Sequence, residues 1–519
     1  MEKEEIDKTQ VKRKHVDNDQ NQFHKLPKLS NVVNVPGVQA EDDIYLTISM
    51  SIVQSMIADL LPCNKSFKSL LSTFLILKLP VKHGSSRTTI LDNFDDIVTL
   101  PWCNPRDLKT YHASSYVDIL LDENFNDVEN SSLFEHLRPY LKELQNAHDY
   151  ITGLNLNTEE LDGDLTDSDS SEPRFNISNE ARGLCEYLKH EHFYDFESGD
   201  KVLDFDTPFS NETRRSNNDV LEPHVKDFIE KDDHKMIHGY KKHILLKHNL
   251  FYDCPIFPFL PLYCHIIPGA TLKVVENLIN NGRPNGIGIN LDGGRHHAFK
   301  DKGNGFCYIN DIVLAINRFR LKNYKKIAYI DFDLHHGDGV EKAFETSSNV
   351  QTTSLHFAEY GFFPNTAQKT LFDKQKECYN IVMPRGTNDA QFMDTVSNVV
   401  LPTVHRFCPQ VLVIQCGGDG LKKDDYDVWA LSIQGLVNAI MRLVEQFGKH
   451  TKIVVLGGGG YRISLQSRFY AYLIYKLTAY SKSGNSSKNN LLDKDYTFEI
   501  IPEHSFSDFY RDSYQKFFV

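Results

Sequence analysis

With 519 residues, of which 40% are hydrophobic and 24% charged, the chain can bury a sizeable core, and its length allows about two to four domains. The formal net charge of -13 argues against a general nucleic-acid-binding protein, which needs a basic face to neutralise phosphates. Nine cysteines without a CxxC pair suit a reducing compartment, and no apolar run approaches the roughly 20 residues that span a bilayer, so we expect a soluble intracellular protein that binds neither nucleic acid nor a membrane directly.

The N-terminal part of the chain divides into a polar tail and an apolar segment. Residues 1–42 are polar and predict a flexible tail. The basic cluster at 12–14 ("KRK") is interpreted equally well as a nuclear import signal or as a solvated stretch. Residues 44–79 show helical apolar spacing in "SIVQSMIADLL" and "FKSLLSTFLILKL", which predicts two packed helices.

A long polar segment follows. We predict that residues 125–245 form an insertion, partly disordered, with some helix in "SLFEHLRPYLKELQNAHDYI". Its stretch 159–172 contains seven acidic residues and no basic one, and such self-repelling sequence resists burial. The insertion is also a candidate for binding a partner protein.

From residue 248 onward, short segments rich in β-branched residues alternate with helical stretches. The predicted strands are "NGIGINL", "KIAYIDFD", "VQTTSLHF", "CYNIVMP", "QVLVIQCGG" and "TKIVVLGGGG", and helices are predicted in "CYINDIVLAINRFRL" and "LSIQGLVNAIMRLVEQF". This order predicts an α/β fold with a parallel sheet. Ligand sites in such sheets form at the carboxyl ends of the strands.

Four of these strands end in metal-binding or proton-transferring side chains. Side chains two apart in an extended chain point the same way, so Asp333 and His335 can reach one ion. Asp419 is the best candidate for a third ligand, because its neighbouring glycines let the backbone approach closely. Two carboxylates, one histidine and an open position make a catalytic zinc site.

A zinc ion with two carboxylate ligands acidifies water less than one held by three neutral histidines, so a separate base is needed. The pair His296 and His297 can supply it, with Asp331 and Asp338 to orient the rings. Tyr461 follows the last of the four strands.

Taken singly, each of these clusters is more often structural, since "HH" pairs occur by chance and "GGGGY" can be a tight turn. "GGGGY" lacks the Lys-Ser/Thr of a phosphate-binding loop, which excludes a nucleotide site. Together, the four clusters favour an enzyme.

Five segments, in this order and spacing, resemble the zinc-dependent histone deacetylases of class I: "GGRHHAFKDKGNGFCYIND", "YIDFDLHHGDGVEKAF", "SLHFAEYGFFPNT", "CGGDGL" and "LGGGGY". The likeness covers residues 44–122 and 248–480 and is closest to the small fungal branch linked to deacetylation of cohesin. It implies one arginase/deacetylase-like catalytic domain at 43–480, with an open, mainly parallel sheet and helices on both faces. The insertion interrupts this domain, and 481–519 is a C-terminal extension.

The resemblance also implies a role for each strand-end residue. It assigns zinc binding to Asp333, His335 and Asp419. It pairs His296 with Asp331 and His297 with Asp338. In this arrangement His297 is the general base on the zinc-bound water and then the general acid to the departing lysine amine, with His296 supporting the charge. Tyr461 donates its hydroxyl to the developing oxyanion, and losing that hydroxyl costs about 3 kcal/mol or more of transition-state stabilisation.

Further residues match the family's substrate tunnel and its monovalent cation sites. Phe306 and Phe363 match the tunnel walls, with Gly305 beside them. Asp253 matches a rim carboxylate that grips the substrate's backbone amides, so it is expected to matter more for peptides than for small acetyl amides. The inner potassium site is implied at Asp331, Asp333, His335, Ser354 and Leu355, and the outer one at Phe344, Ser347, Val350 and Tyr379.

The sequence departs from the family in several places. Asp425 and Ser464 stand where members that bind inositol phosphate and a corepressor have arginine, and an acidic residue repels phosphate. Activation by inositol phosphate through that interface is therefore not expected. Asn64 and Lys65 stand where an arginine floors the acetate exit channel, and Asn365 replaces a glycine, a mild change because Asn tolerates positive φ.

The resemblance implies hydrolysis of acetyl-lysine side chains in histone tails or a cohesin subunit, in the nucleus and also in the cytoplasm, with zinc or ferrous iron as the catalytic metal. Two alternatives stay open. One is a catalytically silent scaffold that binds acetyl-lysine, although the intact His, Asp and Tyr set argues against it. The other is an acetylpolyamine deacetylase, against which Asp253 favours a peptide substrate.

Overall fold

The computed structural model describes residues 44–61, 68–83, 86–99, 101–122, 236–237, 240–257, 260–482, 501, 510 and 516–518. The tail predicted at 1–42, the helix predicted at 132–151 and the acidic stretch at 159–172 lie outside the described residues.

The described residues contain thirteen β-strands, nine of them in one sheet. The strands are β1 Leu46–Ser49, β2 Pro80–His83, β3 Ser86–Thr89, β4 Asp96–Val98, β5 Met236–Ile237, β6 Tyr240–Lys241, β7 Gly286–Asn290, β8 Ile327–Asp331, β9 Val350–His356, β10 Leu371–Asp373, β11 Cys378–Val382, β12 Val411–Gln415 and β13 Lys452–Leu456. The sheet has the order β10-β11-β9-β8-β12-β13-β7-β1-β4. All neighbouring strands in it are parallel except the edge pair β10 and β11, which confirms the predicted mainly parallel sheet.

Twelve α-helices surround the sheet in the described part of the chain. They are α1 Ile52–Asp59, α2 Lys68–Lys78, α3 Pro105–Leu108, α4 Ser114–Leu120, α5 Lys242–Lys247, α6 Leu260–Asn280, α7 Asp311–Leu321, α8 Asp338–Phe344, α9 Asp389–Thr395, α10 Leu401–Phe407, α11 Ile433–Phe447 and α12 Ile463–Ser481. A turn of 3₁₀-helix spans Ile90–Asn93, and a π-helical turn at Val396–Val400 joins α9 to α10. None of the described helices combines the length and apolar character needed to cross a membrane.

Both faces of the sheet are covered by helices. Along β8, Ala328 and Ile330 enter the core that contains residues of α11 and α12. The alternate residues Ile327 and Tyr329 enter a separate core with residues of α6 and α7. Because successive side chains of a strand point to opposite faces, β8 is buried on both sides, as its continuous apolar sequence predicts. The predicted α/β architecture with helices on both faces is confirmed.

The segment 44–79 differs from its prediction. The two expected helices are present as α1 and α2, but the residues just before α1 form the strand β1. This strand pairs with β7 on one side and with β4 on the other, so it extends the parallel sheet. Four residues are too few to show a period of their own beside a helix, and the partner β7 lies far away along the chain.

The described residues on either side of the segment 123–235 lie next to each other. The Tyr240 hydroxyl donates a hydrogen bond of 2.6 Å to Asp122 Oδ2, which joins residues on the two sides of the segment 123–235. The strands β5 and β6 and the helix α5 lie at 236–247, so described structure begins before residue 245, where the insertion was predicted to end. Leu245 of α5 is fully buried. These contacts place the described chain after 235 in the domain.

The described residues of the C-terminal extension pack against α12. The hydroxyls of Tyr510 and Ser467 are 2.9 Å apart, and Arg468 Nη1 donates to the carbonyl oxygen of Lys516 over 3.0 Å. Tyr510 and Phe517 are fully buried in the core that contains α11 and α12. The extension therefore contributes to the core of the domain.

Candidate active site

The sheet order brings four strand ends together. β8, β12, β13 and β7 are consecutive neighbours in the sheet, all parallel, so the loops that follow them leave from one edge. The ends of these strands and the loops after them carry the metal ligands, the histidine pair with one of its orienting carboxylates, and the oxyanion donor predicted from the sequence, namely His296, His297, Asp331, Asp333, His335, Asp419 and Tyr461. The first six of these side chains are almost completely buried.

Three side chains form a group that can hold a metal ion. One ligand atom from each of Asp333, His335 and Asp419 lies within 4.8 Å of the others. His335 Nδ1 is 2.9 Å from Asp419 Oδ2 and 3.2 Å from Asp333 Oδ1. The outer carboxylate oxygens are oriented by backbone donors, with Leu334 N 2.9 Å from Asp419 Oδ1 and Gly459 N 2.8 Å from Asp333 Oδ2. The geometry fixes the three donors before any ion binds.

The charge of this group fits a divalent cation. Burial lowers the pKa of His335, but its hydrogen bonds to Asp333 and Asp419 and their negative charges raise the pKa to about 10. Without a metal, a proton on His335 therefore offsets one of the two negative charges of the carboxylates. A dication can take the place of that proton, and two carboxylates with one imidazole are a donor set that suits zinc or ferrous iron.

Glycines make room for the ligands. A Cβ atom on Gly417 would lie 2.3 Å from Asp333 Oδ2, and one on Gly459 would lie 2.4 Å from Asp419 Oδ2. Either contact is too short to exist, so a side chain at these positions would displace the carboxylates. The glycines after β12 and β13 are therefore required for the ligand group to form.

The two histidines after β7 each have a carboxylate partner. His297 Nδ1 is 2.7 Å from Asp338 Oδ1, and His296 Nδ1 is 2.8 Å from Asp331 Oδ2. The centroids of the two imidazole rings are 3.8 Å apart. In each pair the carboxylate accepts from Nδ1, which leaves Nε2 to face other groups.

The surroundings of His296 and His297 shift their pKa values in opposite directions. Burial and the positive charge of His296 lower the pKa of His297 to about 4, against the opposing effect of Asp338. Burial also lowers the pKa of His296, but Asp331 and Asp333 raise it to about 9. In the metal-free site at neutral pH, these shifts favour a neutral His297 that can accept a proton and a cationic His296.

Aromatic rings and a glycine surround the space beside these groups. The Phe363 ring centroid is 4.8 Å from that of His297, and Phe306 lies 6.4 Å from Tyr461. Gly305 has φ +51°, and a Cβ atom there would lie 2.6 Å from the His297 ring. The predicted tunnel residues are thus brought together next to His297.

Asp253 contacts this group through the backbone. Its Oδ2 accepts a hydrogen bond of 2.6 Å from Gly305 N, and its Oδ1 accepts one of 2.6 Å from the side chain of Asn249. Because a Cβ atom on Gly305 would run into His297 and Phe363, Asp253 also holds the backbone that faces these two rings. A role confined to gripping peptide amides would leave these bonds unexplained.

We expect Asp253→Ala to lower kcat/KM for an acetyl-lysine peptide by about 10²-fold, and for a small acetyl amide by a smaller factor, because only a peptide would lose the amide contacts that the resemblance assigns to Asp253. The small-amide loss reports the displaced Gly305. Asn249→Ala, which keeps the carboxylate, serves as the control. Equal losses for both substrates would contradict a contact with the peptide backbone.

Some of the residues predicted to bind potassium are neighbours in the structure. Asp331 and Ser354 are register partners in the sheet, with Leu355 next along β9. Ser347 N donates to the carbonyl of Phe344, and Val350 N donates to the carbonyl of Ser347, so two successive turns connect these three residues. The Tyr379 hydroxyl donates to Glu377 Oε2 over 2.9 Å. The cation sites themselves stay a prediction.

The predicted departures from the family have different outcomes. Asn365 has φ +63°, as its replacement of a glycine predicts. Ser464 is buried, and its carbonyl oxygen accepts from Arg468 Nε over 2.7 Å, while Asp425 is exposed. Asn64 and Lys65 lie outside the described residues, but Lys68 Nζ donates to the carbonyl of Gly458 over 3.3 Å.

The sequence analysis missed two residues of the loop after β12. The Tyr426 ring centroid is 4.8 Å from that of His335 and 5.1 Å from that of Tyr461. Buried Asp424 accepts a hydrogen bond of 2.7 Å from Tyr461 N. The run "LKKDDYD" is polar and therefore predicts an exposed turn. No local pattern indicates that Asp424 is buried while Asp425 and Asp427 are exposed.

Comparison with known proteins identifies the same family that the sequence motifs resemble. Residues 186–477 match the model of the histone deacetylase domain, a match that begins inside the predicted insertion. The chain is 36% identical over 486 residues to histone deacetylase HOS1 of Saccharomyces cerevisiae, covering 91% of this chain and 93% of that protein, which supports the expected likeness to a fungal branch. It is 36% identical to histone deacetylase B of Dictyostelium discoideum, covering 49% of this chain and 60% of that protein. For histone deacetylase 8 of Xenopus laevis, the identity is 35%, covering 50% of this chain and 79% of that protein. The chain therefore belongs to the histone deacetylase family of hydrolases.

Proposed function

We propose that this protein hydrolyses the acetyl-lysine side chains of proteins with the help of a bound zinc ion. The observation that carries this proposal is the position of a neutral histidine beside a buried metal-ligand group. The ring centroids of His297 and His335 are 6.1 Å apart. A base, an electrophile site and an oxyanion donor within one crevice are the parts that amide hydrolysis needs.

Each residue has one task in this mechanism. Asp333, His335 and Asp419 hold the ion, which when bound supplies Lewis acidity that polarises the substrate carbonyl and acidifies water. His297 takes a proton from the attacking water at Nε2 and later gives it to the departing lysine amine. Asp338 keeps the ring in the tautomer that allows this transfer.

The remaining residues stabilise charge and hold the substrate. His296, a cation paired with Asp331, lowers the energy of negative charge that develops nearby. Tyr461 donates its hydroxyl to the oxyanion, worth about 3 kcal/mol of transition-state stabilisation. Phe306 and Phe363 hold the methylenes of the lysine and keep water away from them.

The substrate, the cellular compartment, the bound cations and the partner protein are proposed from the relation to the family. Histone tails and a cohesin subunit are the two substrate classes, and the protein acts in the nucleus and also in the cytoplasm. Potassium occupies the sites predicted near β9, and the acidic insertion binds a partner protein. Ferrous iron is the alternative to zinc, since the same donor set accepts both.

Acetate release from a panel of acetyl-lysine peptides tests this function. The full chain is assayed on histone-tail and cohesin peptides and on an acetylpolyamine, each with and without a hydroxamate. Hydroxamate-sensitive release from peptides is expected, and preferential release from the polyamine would overturn the proposed substrate class. A zinc-loaded protein that binds the peptides without any release would instead support a silent scaffold.

We expect the pH dependence of kcat/KM to reflect the low pKa of His297. A base with a lowered pKa stays neutral as the pH falls, so kcat/KM should keep its value through pH 6.5, the usual midpoint of histidine, and decline only nearer to pH 4. The measurement is a pH profile with the metal content determined at each point. An acid inflection at or above about 6.5, with metal still bound, would contradict this assignment.

A further inference from the structure

A buried carboxylate joins the two loops that carry Asp419 and Tyr461. Asp424 is 3% exposed. Its Oδ2 accepts hydrogen bonds from Tyr461 N, at 2.7 Å, and from Arg462 N, at 3.2 Å, and its Oδ1 accepts from Tyr426 N at 3.2 Å. A buried carboxylate is costly unless it accepts several hydrogen bonds, and these three backbone donors satisfy that requirement.

The glycines before Tyr461 leave its position open. Residues 457–460 are all glycine, so the stretch has no side chain of its own to pack in the core, and Gly460 has φ +127°, which L-residues rarely adopt. Gly458 N donates to the Tyr470 hydroxyl over 3.1 Å, and Gly459 N donates to Asp333 Oδ2 over 2.8 Å. Near the metal ligands the stretch is held by Gly418 N, which donates to the carbonyl of Gly459 over 2.9 Å. Beyond Gly459, the hydrogen bonds of Asp424 hold the backbone of Tyr461 and Arg462.

The same carboxylate also orients a ring that packs on Tyr461. Tyr426 lies two residues after Asp424, and its backbone N–H is held by Asp424 Oδ1. The Tyr426 ring lies 5.1 Å from that of Tyr461 at an interplanar angle of 73°, an edge-to-face contact. Asp424 thus restrains Tyr461 through the backbone and through this neighbouring ring.

We infer that Asp424 is a positioning residue that keeps the hydroxyl of Tyr461 aligned with the carbonyl of the bound acetyl-lysine. This inference rests on the proposed function. Oxyanion stabilisation depends on a donor that is already in place when charge develops, so a displaced hydroxyl lowers kcat without weakening ground-state binding. Asparagine has almost the same shape as aspartate, but an NH₂ group replaces one of its two acceptor oxygens, so it cannot accept both from Tyr426 N and from the pair Tyr461 N and Arg462 N.

The test is a double-mutant cycle of Asp424→Asn and Tyr461→Phe in the full chain. Asp424→Asn is expected to lower kcat by about 10- to 100-fold. KM is expected to stay within about twofold, and the zinc content to stay unchanged. In the Tyr461→Phe background, the same change should cost less than about threefold, because the hydroxyl through which Asp424 acts is already gone.

A matched control lies on the same loop. Asp427 is exposed, and its Oδ1 accepts from Lys423 N over 3.2 Å. Asp427→Asn removes the same charge from the same loop without touching Tyr461, and its kcat is expected to stay within about twofold of the wild type.

Two results would overturn the inference: an unchanged kcat in Asp424→Asn, or equal losses from that change in both backgrounds. If Asp424→Asn does not fold, Asp424→Glu supplies the cycle, because it keeps both acceptor oxygens and displaces them by one methylene. A wild-type protein without turnover would count against the proposed function instead. In that case, calorimetry measures the affinity of a hydroxamate for the wild type, the two single variants and the double variant. If the two single changes lower this affinity independently, so that their effects add in the double variant, the inference is overturned.

Discussion

Replacing His297 by alanine is expected to lower kcat/KM for an acetyl-lysine peptide by about 10³- to 10⁴-fold, the upper part of the range of about 10²- to 10⁴-fold that general acid–base catalysis supplies. The reason is that His297 is the neutral member of the histidine pair, with its pKa lowered to about 4. Its Nδ1 is held by Asp338, so Nε2 is free of that bond and faces the neighbouring rings. Steady-state kinetics with a peptide substrate measures the loss.

His296→Ala is the matched comparison, because the two rings are neighbours and both are buried. Since His296 is a cation with its pKa raised to about 9, it does not accept the proton and contributes through its charge. Its loss is expected to cost about 10²-fold, less than that of His297. A larger loss for His296 than for His297 would reverse the assignment of the base.

Asp419→Asn is expected to remove both the metal and the activity. The change deletes one of two buried carboxylates and leaves Asp333 and His335 with a single negative charge. We expect about one zinc ion per chain in the wild type and a small fraction of that in the variant, with kcat/KM reduced by more than about 10³-fold. Elemental analysis and peptide assays on the same preparation measure both quantities.

The thermal stability of the Asp419→Asn variant provides a second measurement of metal loss. A ligand present at about a hundredfold excess over its Kd stabilises the folded state by roughly 2.7 kcal/mol, so a chelator should lower the Tm of the wild type. Asp419→Asn should show no such difference, whereas Asp427→Asn, an exposed change on the same loop, should respond as the wild type does. A Tm of Asp419→Asn that still falls with chelator would show that the ion binds elsewhere.

Local sequence patterns were enough to predict most of the sheet and the group of side chains that can hold a metal ion. All six strands predicted after residue 248 are present, because strands buried on both faces have nearly continuous apolar sequences. Asp333 and His335 could be paired from their spacing alone, since both follow the strand β8. Asp419 could be added because ligands collect at the carboxyl ends of parallel strands.

Features that depend on distant contacts could not be predicted in this way. β1 is a strand because it lies between β7 and β4, which are formed by distant parts of the chain. The residues around Asp424 are polar, and none of them indicates that its side chain is buried. Only the fold brings the backbone of Tyr461 to the carboxylate of Asp424. Burial of Tyr510 likewise depends on Ser467 of α12, which no pattern within the C-terminal extension indicates.

Zinc titration of the chelator-treated full chain, with acetate release from an acetyl-lysine peptide as the readout, tests the central claim most directly. The account predicts that release is absent without metal and rises with added zinc until about one equivalent per chain is bound, with no rise for Asp419→Asn. Release that persists in the metal-free protein, or that stays absent when one zinc ion is bound at Asp333, His335 and Asp419, would contradict it.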